Sequence, residues 1–437
     1  MAPLSVLIIG AGVAGPTLAS FLLLSDLPAA EKPRVTVLER SATRRVQGQN
    51  VDVRGAGVTV ARKLGLETAI RSSVTGEEGA QWVDSNNIAW GAFAADKTGK
   101  IQTGTSDIEI LRGRLADLCY RRSLTISKEV QAQGGHGIEY IFGEYVQSIE
   151  QDNEKVEVTL AKSGKRMTYD IVVGADGLQS GTRKLLWGDD EQNLNRLGMY
   201  AGFFSIPKGD KDTQWRRWFH ASRRRGIMLR PSDTPDKTTV FMYAINFEDD
   251  RLRSAAADGR KGAEVQKALL AEYFQDAGWE CPRIIKEMYA TDDFYYDMVA
   301  QVKLDEWSKG RVVLLADAGY CASPISGMGT TLAFTGAHNL AGAILKNPTN
   351  LSAAFGEYEA EMRPTVAKAQ MLPLGGRGLY WSNPETGWGV AMMHAIIGFI
   401  CYSGLARVLM MLGIGPPAGD VPVKEWGFRQ LPEWKDF

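Results

Sequence analysis

Apolar positions along this chain fall into continuous runs, strict alternations and helical stripes, each in its own region. Residues 4–9 form an apolar run of strand length, 13–24 follow as a helix, and Arg34, Val35, Thr36, Val37 and Leu38 make a second strand over 34–38. Strand, helix and strand in that order are a βαβ unit, which predicts parallel pairing and a right-handed crossover. Helices are expected over 57–71 and 112–122, and strands over 80–93 and 101–110. From 138 to 160 the pattern alternates, as in antiparallel hairpins, and leads into a strand ending at Gly174.

Residues 198–247 change character. They are rich in aromatics, with strand-like runs at 200–206, 215–220, 226–230 and 239–247, and predict a separate antiparallel sheet. A helix over 261–277, a buried strand over 310–316, a long helix over 328–345 and a mostly helical tail from 351 complete the pattern. The expected division is one discontinuous unit of 1–75, 101–188 and 301–345, a second of 76–100 and 189–300, and a C-terminal helical region of 346–437. Within the tail, His394 and Arg407 bracket an apolar run in 388–412 that falls short of the roughly 20 residues a membrane span needs. It predicts a buried helix that braces the two units with Trp381 and Trp388, the alternative being a helix lying on a membrane.

Composition narrows the classes. The chain has 437 residues, 44% hydrophobic and 23% charged, with a net charge of -1 that favours neither nucleic acid nor an anionic surface. Cys119, Cys281, Cys321 and Cys401 are scattered, as are the four histidines, so neither a disulfide framework nor metal-ligand spacing is present. The N-terminus lacks the positive segment of a signal peptide. A reducing, cytoplasmic setting without a metal is expected.

Gly10, Gly12 and Gly15 stand as G-x-G-x-x-G between the first strand and the first helix. A glycine at the middle position lets the backbone approach a pyrophosphate at the helix N-terminus, and Gly15 lets the helix close on the sheet. Glu39 ends the second strand, where a carboxylate can accept from both ribose hydroxyls of an adenosine. Arg40 reads equally as a 2′-phosphate ligand or a solvated arginine. The loop predicts a dinucleotide without separating FAD from NAD(P).

Two later motifs separate them. Gly174, Ala175, Asp176, Gly177, Ser180 and Arg183 spell G-A-D-G-x-x-S-x-x-R, and "ADAGYCASPISGMGTTLAF" at 316–334 is an acidic strand end followed by a glycine turn. In this order the three marks resemble the aromatic-hydroxylase-type (class A) flavoprotein monooxygenases, the family of para-hydroxybenzoate hydroxylase and the tetracycline-inactivating monooxygenases. The resemblance implies an α/β fold: a Rossmann-like FAD-binding domain with a parallel sheet, an inserted antiparallel substrate domain and a C-terminal helical segment. It implies FAD as cofactor, NADPH or NADH as co-substrate, and O2, one atom of which passes from a C4a-hydroperoxyflavin to a small aromatic or polycyclic molecule.

Residue by residue, it places Asp176 in a brace around the pyrophosphate and Asp317 on the ribityl hydroxyls. Pro324, Gly327, Met328, Gly329 and Thr330 form a turn whose amides face the flavin ring. Arg112, at the head of a helix, and Gly48, Gln49 and Arg54, in a loop passing the flavin, are further cofactor contacts. Two departures stand out. Gly319 and Tyr320 replace the Ala-His of the usual G-D-A-A-H, and Thr331 and Gly336 replace the usual Asn and Asp.

Because the cofactor carries such chemistry, no catalytic side chain is assigned. Phe203, Trp215, Trp218, Phe219, Met228, Phe241 and Tyr243 are candidates to line the substrate pocket, about half of which should face the sheet's own core. The run Arg223-Arg224-Arg225 reads as a solvated loop or an attractor of an anionic substrate. A halogenase of the same fold would carry W-x-W-x-I-P, which is absent. A reductase or oxidase of the same superfamily and a nucleotide-binding sensor module remain as alternatives.

Overall fold

The computed structural model describes residues 3–44, 48–95, 108–188, 192–257, 259–372, 376, 378–403 and 421–435. Five parallel strands lie in the order Val312–Leu314, Ile171–Gly174, Ser5–Ile9, Arg34–Glu39 and Ile138–Phe142, with Ser308–Lys309 as an antiparallel edge. Their apolar runs are continuous because both faces are covered. Val6 and Ile8 point toward helices Ala14–Leu23 and Gly329–Lys346, whereas Leu7 and Ile9 meet Val156, Val158 and Leu160 of a three-stranded sheet behind. Each fully buried aliphatic side chain contributes roughly 1.5–3 kcal/mol to that sandwich.

A second sheet has seven strands in the order Tyr295–Val302, Leu194–Pro207, Lys237–Ile245, Arg225–Pro231, Trp215–Ala221, Gly79–Val83 and Ala89–Ala94. It is antiparallel except where Trp215–Ala221 runs parallel to Gly79–Val83, so the expected all-antiparallel sheet is mixed at one pair. The pattern anticipated neither the strand Tyr295–Val302 nor the helices Asp250–Ala257 and Cys281–Ala290, which cover one face.

Other elements differ for local reasons. The helix expected over 57–71 is two, Ala56–Lys63 and Glu67–Arg71. It breaks at Gly65, whose φ is +66° and whose missing Cβ would strike the Pro432 carbonyl. The strand expected over 80–93 is a hairpin, its turn set by Asp84, which accepts from the N–H groups of Asn86 and Ile88 at 2.9 and 3.0 Å. Of the strand expected over 101–110, residues 101–107 lie outside the described residues and Glu109–Leu111 is a strand.

The C-terminal helix overturns its expectation. Gly387–Tyr402 packs only one side against Ala89–Ala94, while Trp388, Ile396, Phe399 and Tyr402 are more than half exposed. Trp381 is 78% exposed, so neither tryptophan braces anything described. Residues 404–412 of the expected brace lie outside the described residues. Residues 421–435 contain no helix and run as a strap over the first sheet's helices. Along it the N–H groups of Arg429, Leu431 and Trp434 donate to the carbonyls of Leu24, Lys63 and Gly65. Among the described residues no helix is long and apolar enough to cross a membrane.

Candidate active site

Three glycine turns meet at the carboxyl ends of adjacent parallel strands, the crevice where such sheets bind ligands. They are laced together: the Gly10 N–H donates to the Leu38 carbonyl at 2.7 Å, Ala175 N–H to Ile9 at 2.8 Å and Leu315 N–H to Gly174 at 2.8 Å. A Cβ on Gly10 would strike the Ala175 carbonyl and one on Gly15 the Gly10 carbonyl, whereas Gly12 has nothing within 4 Å of that position. Gly10 and Gly15 therefore serve packing, and Gly12 leaves an open cradle at the N-terminus of Ala14–Leu23. Glu39 accepts from the N–H groups of Ala11 at 3.0 Å and Ser41 at 2.9 Å. A carboxylate has about four acceptor positions, so capacity for ribose hydroxyls remains. Arg40, next to it, is exposed.

Asp176 is fully engaged within its own turn. One oxygen accepts from the Ser180 hydroxyl at 2.5 Å, the other from the Thr182 N–H and hydroxyl at 3.0 Å each. Ser180 in turn caps the helix Gly181–Trp187 through the Arg183 N–H at 2.9 Å. The buried Arg183 guanidinium donates to the Leu178 carbonyl at 2.7 Å and to the Ala318 carbonyl at 2.9 Å, tying the second turn to the third. This brace shapes the crevice.

The third turn carries strain. Ala316 and Ser323 have φ of +57° and +75°, a region that side chains other than glycine rarely adopt, and they bracket the short helix Asp317–Tyr320. The turn then passes Pro324–Ser326 and the left-handed Gly327 into the helix Gly329–Lys346, whose first turn has no side-chain cap. The Asp317 carboxylate lies 4.0 Å from where a Cβ of Gly329 would be, so acidic group and unpaired amides share one corner. The Ser323 hydroxyl is buried there without a hydrogen-bond partner among the described residues.

Residues 48–54 line the same corner. Gly48 lies against the Arg112 side chain, the Arg112 N–H donates to the Gln49 carbonyl at 2.9 Å, and Thr331 donates to the Arg54 carbonyl at 2.9 Å. Asp52 pairs with Arg54 at 2.6 Å, which offsets the Arg54 charge. Arg112 is exposed, Met328 and Thr330 half-buried. The expected cofactor residues Gly48, Gln49, Arg54, Arg112, Asp317 and Gly327 to Thr330 are thus brought together.

Beside this crevice one row of side chains crosses six strands of the second sheet. Trp82, Trp218, Met228, Phe241, Phe203 and Tyr295 are successive cross-strand neighbours on one face. Ring centroids are 5.9 Å apart for Trp82 and Trp218, 4.8 Å for Phe203 and Phe241, and 6.0 Å for Phe203 and Tyr295. A second row carries His220, Gly226, Tyr243, Ala201 and Asp297. Both flanks touch the first sheet's loops: Gln179 donates to Asp297 at 3.1 Å, and Asn50 pairs with Thr239 at 3.2 Å.

Two of the seven candidates do not face this side. Strand alternation turns Trp215 and Phe219 to the other face, where Phe219 stacks on Trp279 at 5.0 Å. Trp82, Tyr295, Asp297 and Gln179 were missed. The alternation of Tyr296, Met298, Ala300 and Val302, all buried, was the available mark of the strand that carries two of them.

Electrostatics on this face are those of a dry wall. Burial pulls His220 down to about 3, leaving a neutral imidazole stacked on Trp218 at 5.1 Å. Tyr243 accepts from the Trp218 indole at 3.0 Å and donates to Asn383 at 2.7 Å; burial raises its phenol. Burial also raises the Asp297 carboxyl above the ordinary carboxylate range, against hydrogen bonds from Tyr295, Gln179 and the Met298 N–H. Of the three arginines at 223–225, Arg223 is exposed, Arg224 half-buried and Arg225 buried, and each is paired within the protein. Arg223 and Arg225 pair with Asp276, and Arg224 pairs with Glu385 at 2.9 Å and lies over the Tyr380 ring at 4.4 Å. Arg224 and the Arg223 N–H, with Tyr243 bonded to Asn383, form a seam with residues 380–385.

The crevice fits FAD. Gly12 leaves a cradle that a Cβ would fill, the Gly329 helix offers uncapped amides, and the Ser323 hydroxyl awaits a partner. A sequence-family profile described as an FAD binding domain matches residues 3–371. A FAD-dependent monooxygenase of Sarocladium schorii, asL6, is 35% identical over 415 residues, covering 93% of this chain and 94% of that one. The monooxygenase CTB7 of Cercospora beticola is 33% identical over 432 residues, 98% of each. The crystal structure of the tetracycline destructase Tet(51) superposes with a TM-score of 0.69 at 28% identity, over 96% of this chain and 100% of that one. Glycine turns, brace and likeness agree, and the chain belongs to the FAD-binding-domain family of flavoprotein monooxygenases.

Proposed function

We propose that this enzyme uses NADPH or NADH and O2 to insert one oxygen atom, by hydroxylation or epoxidation, into an aromatic or polycyclic small molecule. The observation that carries this reading is the six-membered row from Trp82 to Tyr295, a flat apolar wall flanked by the loops of the FAD crevice. Such a wall recognises planar rings by stacking and contact area. The tetracycline destructase likeness supports a polycyclic substrate.

When bound, FAD supplies the electron transfer and oxygen activation. The chain's part is placement. Gly12 and the Ala14–Leu23 N-terminus hold the pyrophosphate, Glu39 the adenosine ribose and Asp317 the ribityl hydroxyls. The uncapped Gly329 helix would offer positive potential to negative charge on a group held there. Phe203, Met228, Phe241 and Trp218 would exclude water from the substrate side of the crevice. The reading divides labour between 1–75, 101–188 and 301–345 for the cofactor and 76–100 and 189–300 for the substrate, with the work done in the cytoplasm. It is tested by NADPH oxidation in air with a panel of polycyclic aromatics. One class should accelerate it and return a product heavier by one oxygen; acceleration without that gain would favour a reductase or oxidase instead.

A further inference from the structure

Residues 421–435 carry no helix or strand, yet they tie together four helices that open on the cofactor crevice. Ala14–Leu23 follows the first glycine loop, Ala56–Lys63 follows residues 48–54, Arg112–Ala132 begins at Arg112, and Gly329–Lys346 follows the third turn. The strap meets each of them away from its N-terminus. Past the first helix, the Arg429 N–H donates to the Leu24 carbonyl at 3.0 Å, and Phe428 packs on Phe21 with ring centroids 4.9 Å apart. On the second, Lys63 pairs with Glu425 at 2.8 Å, and its carbonyl accepts from the Leu431 N–H at 3.2 Å. On the third, the buried Arg122 donates to the Pro432 carbonyl at 3.2 Å, and Glu129 pairs with Arg429 at 2.9 Å. On the fourth, the Trp426 indole donates to Asn339 at 3.0 Å and lies where a Cβ of Gly342 would begin.

We propose that this strap is a cofactor-retention element, with Trp426 as a positioning residue that sets the spacing of the four helix N-termini without touching FAD. The inference rests on the FAD reading above. From Gly329 to Asn339 is about 15 Å along the helix, so the indole stands well away from the crevice.

The second and fourth helices already meet at the crevice end. A Cβ on Gly57 would lie 3.0 Å from the Thr331 hydroxyl, which donates to the Arg54 carbonyl at 2.9 Å. A pivot at that end and a staple at the other fix the angle between the two helices. Close-packed interiors transmit a change of angle rather than absorb it. The Gly12 cradle and the Asp317 corner sit on different helices, and a single FAD has to reach both. Holding them at the right separation before binding spares the cofactor the cost of ordering them.

The test measures the FAD dissociation constant of the full chain by flavin fluorescence titration of the apoprotein, alongside its denaturation midpoint. Trp426→Ala should weaken FAD at least about tenfold, and Trp426→Phe, which keeps a ring over Gly342, should recover most of that. Phe219→Ala, in the other sheet, is the control: at a similar loss of stability its FAD affinity should stay within about twofold of wild type. Should Trp426→Ala not fold, Phe428→Leu is a milder cut in the same strap, with about threefold weakening expected. Wild-type FAD affinity in the strap variant that folds, or equal weakening in Phe219→Ala, would overturn the inference. A wild-type chain that takes up no FAD would instead overturn the FAD reading on which it rests.

Discussion

The Tyr320 hydroxyl fills the space beside Gly336 in which any side chain at that position would begin. The same hydroxyl sits 2.8 Å from that of Tyr358, which also reaches the Leu314 carbonyl at 3.2 Å. Tyr320 and Gly336, far apart in sequence, are thus packed as one unit. A tyrosine at the end of the Asp317 turn needs a bare backbone on the facing helix.

Gly336→Ala should accordingly cost roughly 1–3 kcal/mol, the usual penalty for overpacking a tight core. Removing the obstructing hydroxyl with Tyr320→Phe should recover much of it. A double-mutant cycle by chemical denaturation checks this, and additive effects would separate the two residues.

Gly10 and Gly12 should fail in different ways. Gly12→Val adds a side chain into open space, so the fold should hold while FAD binding weakens at least about tenfold. Gly10→Ala meets the Ala175 carbonyl at a φ of +116°, so it should lower stability itself, by roughly 1–3 kcal/mol. Thermal melts of the apoproteins, set against flavin titrations, separate the cases.

Acid should destabilise the fold before it titrates most carboxylates. Burial lowers His220 to about 3 and His338 to about 4 from 6.5, so both stay neutral in the folded state while the unfolded chain takes up protons. Their contribution is present above the unfolded value and lost as pH falls toward the folded ones, at about 1.4 kcal/mol per pKa unit. Asp297, raised, works the other way: its contribution is present below the unfolded carboxylate value and is lost as pH rises through its folded one. Melting temperature should therefore fall below about pH 6.5, and His220→Phe should flatten that slope.

The two faces of one strand provide an internal control. Trp218→Ala should reduce kcat/KM for aromatic substrates by about tenfold or more, with FAD content intact, because it opens the ring row. Phe219→Ala should instead destabilise by about 3–5 kcal/mol with little change in substrate preference, since Phe219 packs on Trp279. Steady-state kinetics and denaturation of both variants decide it.

The cofactor crevice was legible because its glycines, Asp176 and Asp317 act within short stretches of chain, where spacing carries geometry. The wall was half legible. Trp218 and Phe241 advertise themselves as aromatic, but their alignment with Trp82 and Tyr295 is a matter of register between strands far apart in sequence, which periodicity does not encode. The helix Gly387–Tyr402 was misjudged for a related reason. Its apolarity says that it wants a partner, not that the chain supplies one on every side. Arg224 and Arg225 looked like a solvated run because their partners, Glu385 and Asp276, lie far along the sequence.

The most direct test of the central claim is the visible absorbance spectrum of the purified protein before and after addition of FAD. Flavin bands at stoichiometric occupancy, weakened in Gly12→Val, are the predicted result. A colourless protein that takes up no added FAD would contradict the account.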